Sequence, residues 1–208
     1  MQIGDLKIEL IGHASVRLEA EKVVYIDPFK IEGEDKADLI LITHSHYDHC
    51  SIEDIQKLVK PETVIVTVPD CQSKLSSVLT KVADVKLMEP GQKLDVEGIS
   101  IETVPAYNIG KEFHPKENNW VGYIVTIGGK RVYHAGDTDL IPEMNNIKVD
   151  VAMLPVGGTY TMSVEEAAEA ANKIGAEVSI PIHYGSIVGT KEDAEKFKEL
   201  VTGRVEII

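Results

Sequence analysis

The stretch "LITHSHYDHC", Leu41 to Cys50, decides how the rest of the chain is read, because it sets His44, His46, Asp48 and His49 within six consecutive residues. The run just before them, "DLILIT", has the β-rich composition of a buried strand. The end of such a strand is the usual place for a site-forming loop. Residues two apart in extended chain point the same way, so His44 and His46 can grip one ion. Asp48 and His49, where the loop turns into a helix, can face a neighbouring ion. Imidazole and carboxylate ligands suit Zn, Fe or Mn, and the lack of cysteine among them disfavours a closed structural zinc site. The plainer alternative is a solvated loop of satisfied histidines. Four ligand-type side chains in so short a stretch weigh against it.

Outward from this stretch the chain alternates strand and helix signals. Upstream, "LKIELIG", "SVRLEA", "KVVYID" and "ADLILIT" read as short strands. Downstream, Ser51 with Asp54 three residues on reads as a helix start, with Ile52, Ile55, Leu58 and Val59 at helical spacing. "TVIVTV" reads as a buried strand, and Cys71, Leu75, Val78 and Leu79 after it as one face of a helix. Then come strands "GISIETVPA", "WVGYIVTIGG", "KRVYHAG", "VDVAMLPVGG" and "AEVSIPIHY". Gly128–Gly129 marks a hairpin turn between two of them. Ser163 with Glu166 is a capping-box pattern ahead of an amphipathic helix. A last helix is predicted over Thr190 to Val201, with Ala194, Phe197 and Val201 inward and Gly203 as its stop. "VRLEAEKVVYIDP" and "YIVTIGGKRVYHAGD" share the order strand, turn, strand, aspartate, a faint sign of duplication. The pattern suits two packed sheets with helices outside, in the α/β or α+β class.

The totals bound the function. A chain of 208 residues supports one sizeable core, so a single domain over 1–208 is expected. The net charge of −13 disfavours a broad polyanion surface, and with it nucleic acid as a partner. No apolar run reaches the roughly 18 residues of a membrane span. The N-terminal "MQIGDLKIEL" alternates like a strand instead of forming a signal core. Two cysteines, Cys50 and Cys71, make no disulfide framework. A cytoplasmic protein is expected.

Two further segments place ligand-type residues at strand ends: Asp137 in "YHAGDTD", in a glycine-flanked loop, and His183 in "IPIHYG". Together with the cluster they assemble in the way a catalytic site does, from the ends of several strands. "THSHYDH" matches the H-x-H-x-D-H signature of the metallo-β-lactamase fold superfamily. "HAGDTD" resembles its bridging-aspartate motif, and "PIHY" its final histidine motif. "IGHASVRLE" and "YIDPF" resemble the opening of the branch holding ascorbate-6-phosphate lactonase and similar metal-dependent hydrolases. The resemblance implies a four-layer αββα sandwich of two mixed β-sheets with a dinuclear site at one edge. It implies that His44 and His46 bind a first metal, that Asp48, His49 and His183 bind a second, and that Asp137 bridges the two. A third histidine for the first metal is expected from "VPAYNIGKEFHPK", where Asn108 stands in the natural place and His114 follows six residues on. His114 is the favoured choice.

Two divalent ions, with Zn the first expectation and Mn or Fe alternatives, would share a water and hold it as hydroxide. The implied reaction is hydrolysis of an ester, lactone or phosphodiester of a small molecule, with Asp48, Asp137 and His183 as catalytic candidates. Lys111, His114 and Lys116 form a candidate anion site for a phosphorylated substrate. His13 is read either as a group near the site or as a structural histidine, and Asp27 either as a partner of a ligand histidine or as a turn residue. His134 is read as orienting other groups, Cys50 as a small packed residue, and Tyr184 as a candidate oxyanion donor. The rivals are a metal-binding sensor without turnover and a nuclease-type phosphodiesterase.

Overall fold

Period-two apolar runs build two mixed sheets. The computed structural model describes residues 1–33 and 35–208. In the first sheet β1 (Gln2–Ile3), β2 (Leu6–Gly12), β3 (Ser15–Glu19) and β4 (Val23–Ile26) run antiparallel in chain order. Then β5 (Leu39–Leu41), β6 (Val64–Thr67) and β7 (Asp84–Leu87) continue it in parallel. The second sheet repeats the plan. Its strands β8 (Lys93–Val96), β9 (Ile99–Pro105), β10 (Val121–Ile127) and β11 (Lys130–His134) are antiparallel, and β12 (Val151–Pro155) and β13 (Val178–Ile182) extend it in parallel. The hairpin between β10 and β11 closes through Gly128 and Gly129 at φ +57° and +70°, as two-residue turns require.

Strand alternation sorts the side chains into layers. Val121, Tyr123 and Val125 of β10, with Val132, Val151, Met153 and Ile180, share one core with the first sheet. Ile124, Tyr133, Ala152 and Leu154 point the other way, against α2 (Val164–Ile174) and α3 (Lys191–Leu200). On the far side, Ile55 and Leu58 of α1 (Ile52–Leu58) join the first core. This is the expected αββα sandwich of two mixed sheets with helices outside. The duplicated order is visible too. In each sheet a hairpin leads from an antiparallel to a parallel partner, and the chain then reaches Asp27 or Asp137.

Two local expectations fail. Residues 69–81 form three short 3₁₀ turns in place of one helix. Cys71, Leu75 and Val78 are buried as the spacing required, but Leu79 is exposed. Serine at 73, 76 and 77 and β-branched Val78, Thr80 and Val82 are poor helix formers, which favours short turns over one helix. Gly203 does not stop α3. Val201 caps it in extended conformation, because the chain is drawn away to bridge Val205 to Ser179 of β13.

Candidate metal centre

The ends of β4, β5, β11 and β13 and the loop after β9 converge on one edge of the sandwich. His44, His46, His114 and Asp137 bring ligand atoms within 4.8 Å of one another, and His13, Asp48, His49 and His183 form a second such group beside them. Asp137 Oδ2 stands 3.1 Å from His183 Nε2, 3.3 Å from His114 Nε2 and 3.9 Å from His44 Nε2, and its Oδ1 stands 3.4 Å from His49 Nε2. One carboxylate therefore faces both groups. All seven residues expected as ligands meet here, and His114 enters while Asn108 stays behind it.

The orientations of His44, His49 and His114 are fixed from outside the centre. Asp27 accepts hydrogen bonds from the Thr43 amide (2.7 Å), the Thr43 hydroxyl (2.6 Å) and His49 Nδ1 (2.7 Å). With the Thr43 hydroxyl committed to Asp27, its oxygen accepts from His44 Nδ1 at 2.9 Å. One buried carboxylate thus sets the tautomers of two histidines and turns both Nε2 atoms inward. Asn108 does the same for His114. Its Nδ2 donates to Asp139 Oδ1 (3.1 Å) and the Tyr160 carbonyl (2.9 Å), so its Oδ1 receives His114 Nδ1 at 3.0 Å. Trp120 lies against His44 and His46, ring centres 4.8 and 4.9 Å apart. Gly136 holds φ +64° just before Asp137, and a Cβ there would sit 2.9 Å from the Val121 carbonyl. Only glycine delivers Asp137 at that point.

Electrostatics agree with a centre built for cations. Burial opposes ionisation of Asp137, but the charges of His183 and His49 and the contacts of His114 and His183 hold its carboxyl well below the ordinary range. Burial also opposes ionisation of Asp48, and contacts with His13 and His49 overcome it in the same way. His44 is driven well below the ordinary imidazole range by burial and by its histidine neighbours. Burial pushes His49 down as well, yet Asp137 and Asp27 lift it well above that range.

The donor set fits divalent metal ions. His49 Nε2, His114 Nε2, His183 Nδ1, Asp137 Oδ1 and both nitrogens of His13 are buried without a hydrogen-bond partner. Buried polar atoms are seldom left so, and His49 Nε2, His114 Nε2, His13 Nε2 and Asp137 Oδ1 face one another across the centre. Ligands about 2.0–2.1 Å from a common ion stand roughly 3.3 Å apart in a tetrahedral arrangement. The 3.1–3.4 Å separations of Asp137 from His183, His114 and His49 have that length.

Other expectations sort cleanly. His134 is saturated: Nε2 donates to the Ala14 carbonyl at 2.8 Å and Nδ1 accepts the Gly136 amide at 3.2 Å, so it orients its neighbours. Cys50 packs in the first core. Lys111 is bound to Asp139 (2.6 Å) and the Thr161 carbonyl (2.7 Å), and Lys116 to Glu143 (3.1 Å), so neither is a free anion ligand. Tyr184 packs on the second core and does not line the site. The mouth was not foreseen. A cavity of about 310 Å³ is lined by His46, Asp48, His114, Asp137 and His183 at its floor and by Tyr47, Phe113, Tyr160 and Ile187 at its rim. Tyr47 is 66% exposed and Phe113 48%, so the mouth presents large side chains to solvent beside the polar floor.

The family model of the beta-lactamase superfamily domain matches residues 7–183, and the chain belongs to that superfamily, as a metal-dependent hydrolase. A UPF0173 metal-dependent hydrolase of Pyrococcus abyssi is 34% identical, over 98% of this chain and 95% of its own length. The crystal structure of a protein assigned as a metal-dependent hydrolase from Parabacteroides distasonis is 35% identical, with TM-score 0.85, over 97% of this chain and 92% of that one. Igni18, a metallo hydrolase of the archaeon Ignicoccus hospitalis, is 26% identical with TM-score 0.79, over 98% and 94%. Among the described residues no helix is long and apolar enough to cross a membrane.

Proposed function

We propose that this chain, working as one domain, hydrolyses an ester or lactone of a small, largely apolar molecule at a centre for two divalent ions, zinc first among them. His44, His46 and His114 would hold one ion, Asp48, His49 and His183 the other, and Asp137 would bridge them. The observation that carries the reading is the convergence of unpartnered buried nitrogen and carboxylate atoms at the floor of an open cavity. A closed structural site would have no such mouth. When bound, the ions supply Lewis acidity and a water that loses a proton near neutral pH.

The residues of the chain do the remainder. Asp27, Thr43 and Asn108 keep three imidazoles aimed inward, so the donor set is organised before substrate arrives. Asp48 faces the cavity with its carboxyl ionised, an acceptor that orients an incoming water. Tyr47, Phe113, Tyr160 and Ile187 surround the non-reacting part of the substrate and exclude solvent there. Phe113 and Tyr160 meet edge to face at 4.6 Å, a rigid apolar wall. Among the described residues no Lys or Arg lines the cavity. A negative charge on the substrate away from the reacting group would meet no cation at this rim. The free, buried Cys50 and Cys71 support a reducing compartment, the cytoplasm.

The test is metal content by elemental mass spectrometry, followed by turnover of aryl esters, lactones and a bis-aryl phosphodiester with the metal found. Near two equivalents per chain and turnover of the neutral substrates are expected. Two equivalents with phosphodiester turnover alone would reverse the substrate class. Metal without any turnover would favour a sensor.

A further inference from the structure

We infer that His13 is an additional ligand at the second ion position, beside Asp48, His49 and His183. The inference rests on the reading that the centre binds metal. His13 lies in the loop between β2 and β3, only 2% exposed, and both its ring nitrogens lack a hydrogen-bond partner. Leaving a buried donor or acceptor unpaired is destabilising. The residue also holds φ +56°, in the left-handed region that non-glycine residues avoid. A side chain that bears both penalties is held there for a purpose.

The backbone shows how it is held. His183, itself at φ +60°, donates its amide to the His13 carbonyl at 2.7 Å, and His13 pairs with Tyr184 in an antiparallel bridge. Two strained histidines from opposite sheets are thereby locked together, with ring centres 3.9 Å apart. His13 Nε2 stands 3.3 Å from Asp48 Oδ2, and His49 Nε2 stands 3.4 Å from that same oxygen. Neither nitrogen hydrogen-bonds to it. His13 thus keeps the spacing and misalignment of a co-ligand, the same relation as its neighbour His49.

The two ion positions then differ. The first has three histidines and a share of Asp137; the second has three histidines, Asp48 and a share of Asp137. The second should fill first and hold its ion more tightly.

The full chain, stripped by chelator, is titrated with cobalt(II) and followed by visible absorption and calorimetry. Wild type should fill in two phases. H13A should lose the tighter phase, its affinity falling by at least about tenfold, while the weaker phase remains. H13Q keeps an N–H donor for Asp48 but no imidazole, and should lose the phase equally. If H13Q binds within about twofold of wild type while H13A does not, His13 only positions Asp48 and the assignment falls. Unchanged phases in both variants would also overturn it and leave the two-metal reading intact. A wild type that takes up no cobalt would remove that reading itself. Thermal unfolding of the stripped proteins separates lost binding from lost folding, and H13Q carries the test should H13A not fold.

Discussion

The two halves of the molecule each run a hairpin into an aspartate, and the two aspartates serve opposite ends. Asp27 follows β4 in the first sheet, and Asp137 follows β11 in the second, each where the sheet changes from antiparallel to parallel pairing. Asp27 is saturated, accepting from two Thr43 donors and His49. Asp137 has an Oδ1 with no partner and four histidines 3.1–3.9 Å away. A carboxylate with its lone pairs filled by N–H and O–H donors positions other groups. One whose lone pairs face only imidazole nitrogens is left to hold cations. On the proposed reading, the same topological place is a support in one half and a bridge in the other.

The largest effect should come from emptying the bridge. D137N keeps the shape but gives up the charge shared between both ion positions. It should lose about one metal equivalent or more and lower kcat/KM by about a thousandfold, measured by metal analysis and steady-state kinetics. If D137N keeps both metals, the contrast between the two aspartates is wrong. D27N should be gentler. Asparagine tolerates the φ of +48° at this position, but its amide nitrogen, placed where Oδ2 stood, accepts from neither the Thr43 hydroxyl nor His49. Metal affinity should fall about 10–100-fold, and the metal-free chain should lose roughly 2–8 °C in Tm, because buried donors on Thr43 and His49 are left without an acceptor.

How much of this was legible in the sequence follows from how local each signal is. His44, His46, Asp48 and His49 share one loop, so their spacing alone announced a centre. Asp137, directly after Gly136, and His183 stand just past the ends of buried strands and were readable as motifs. Asp27 and His13 were open between two roles, because their partners lie 22 and 35 residues or more away, at His49 and Asp48. Spacing cannot show that His13 meets His183. Lys111 was misread for the same reason, since Asp139, 28 residues on, neutralises it. The 69–81 segment misled because 3₁₀ turns bury nearly the same positions as a helix. The rim of Tyr47, Phe113, Tyr160 and Ile187 left only single apolar residues in polar loops as a trace.

Asn108 stands below Asp27 in expected effect. N108A would leave His114 Nδ1 without its acceptor and free the ring to turn. The first ion position should weaken by about tenfold, and the second should not, a selectivity readable in the same cobalt titration. N108H, which sets a second imidazole where the first-position ligand was naturally expected, tests whether the pocket accepts a direct ligand there. Equal weakening of both positions by N108A would mean that the rings are coupled through Asp137 and not set one by one.

The smallest effect on metal loading should come from Asp54, a second saturated carboxylate in the first half. It accepts from the Lys30 amide (2.9 Å), the Ile31 amide (3.0 Å), the Ser51 hydroxyl (2.7 Å) and Lys57 (2.9 Å). It thereby ties the loop after β4 to the start of α1. Burial raises its pKa, but Lys57, Ser51 and the two amides outweigh that and leave the carboxyl below its ordinary value. A carboxyl depressed in the folded state stabilises above its unfolded pKa. The contribution is therefore present at neutral pH and is lost as pH falls from about 4 through the folded value. D54A removes it at every pH and strands two amide donors, costing about 2 kcal/mol and roughly 4–8 °C in Tm at pH 7. The gap to wild type should narrow as pH drops below about 4, while metal stoichiometry at pH 7 stays at the wild-type value. A D54A chain that lost metal at pH 7 would show that the anchoring of α1 reaches the centre. The division between supporting and bridging carboxylates would then hold only for Asp27 and Asp137.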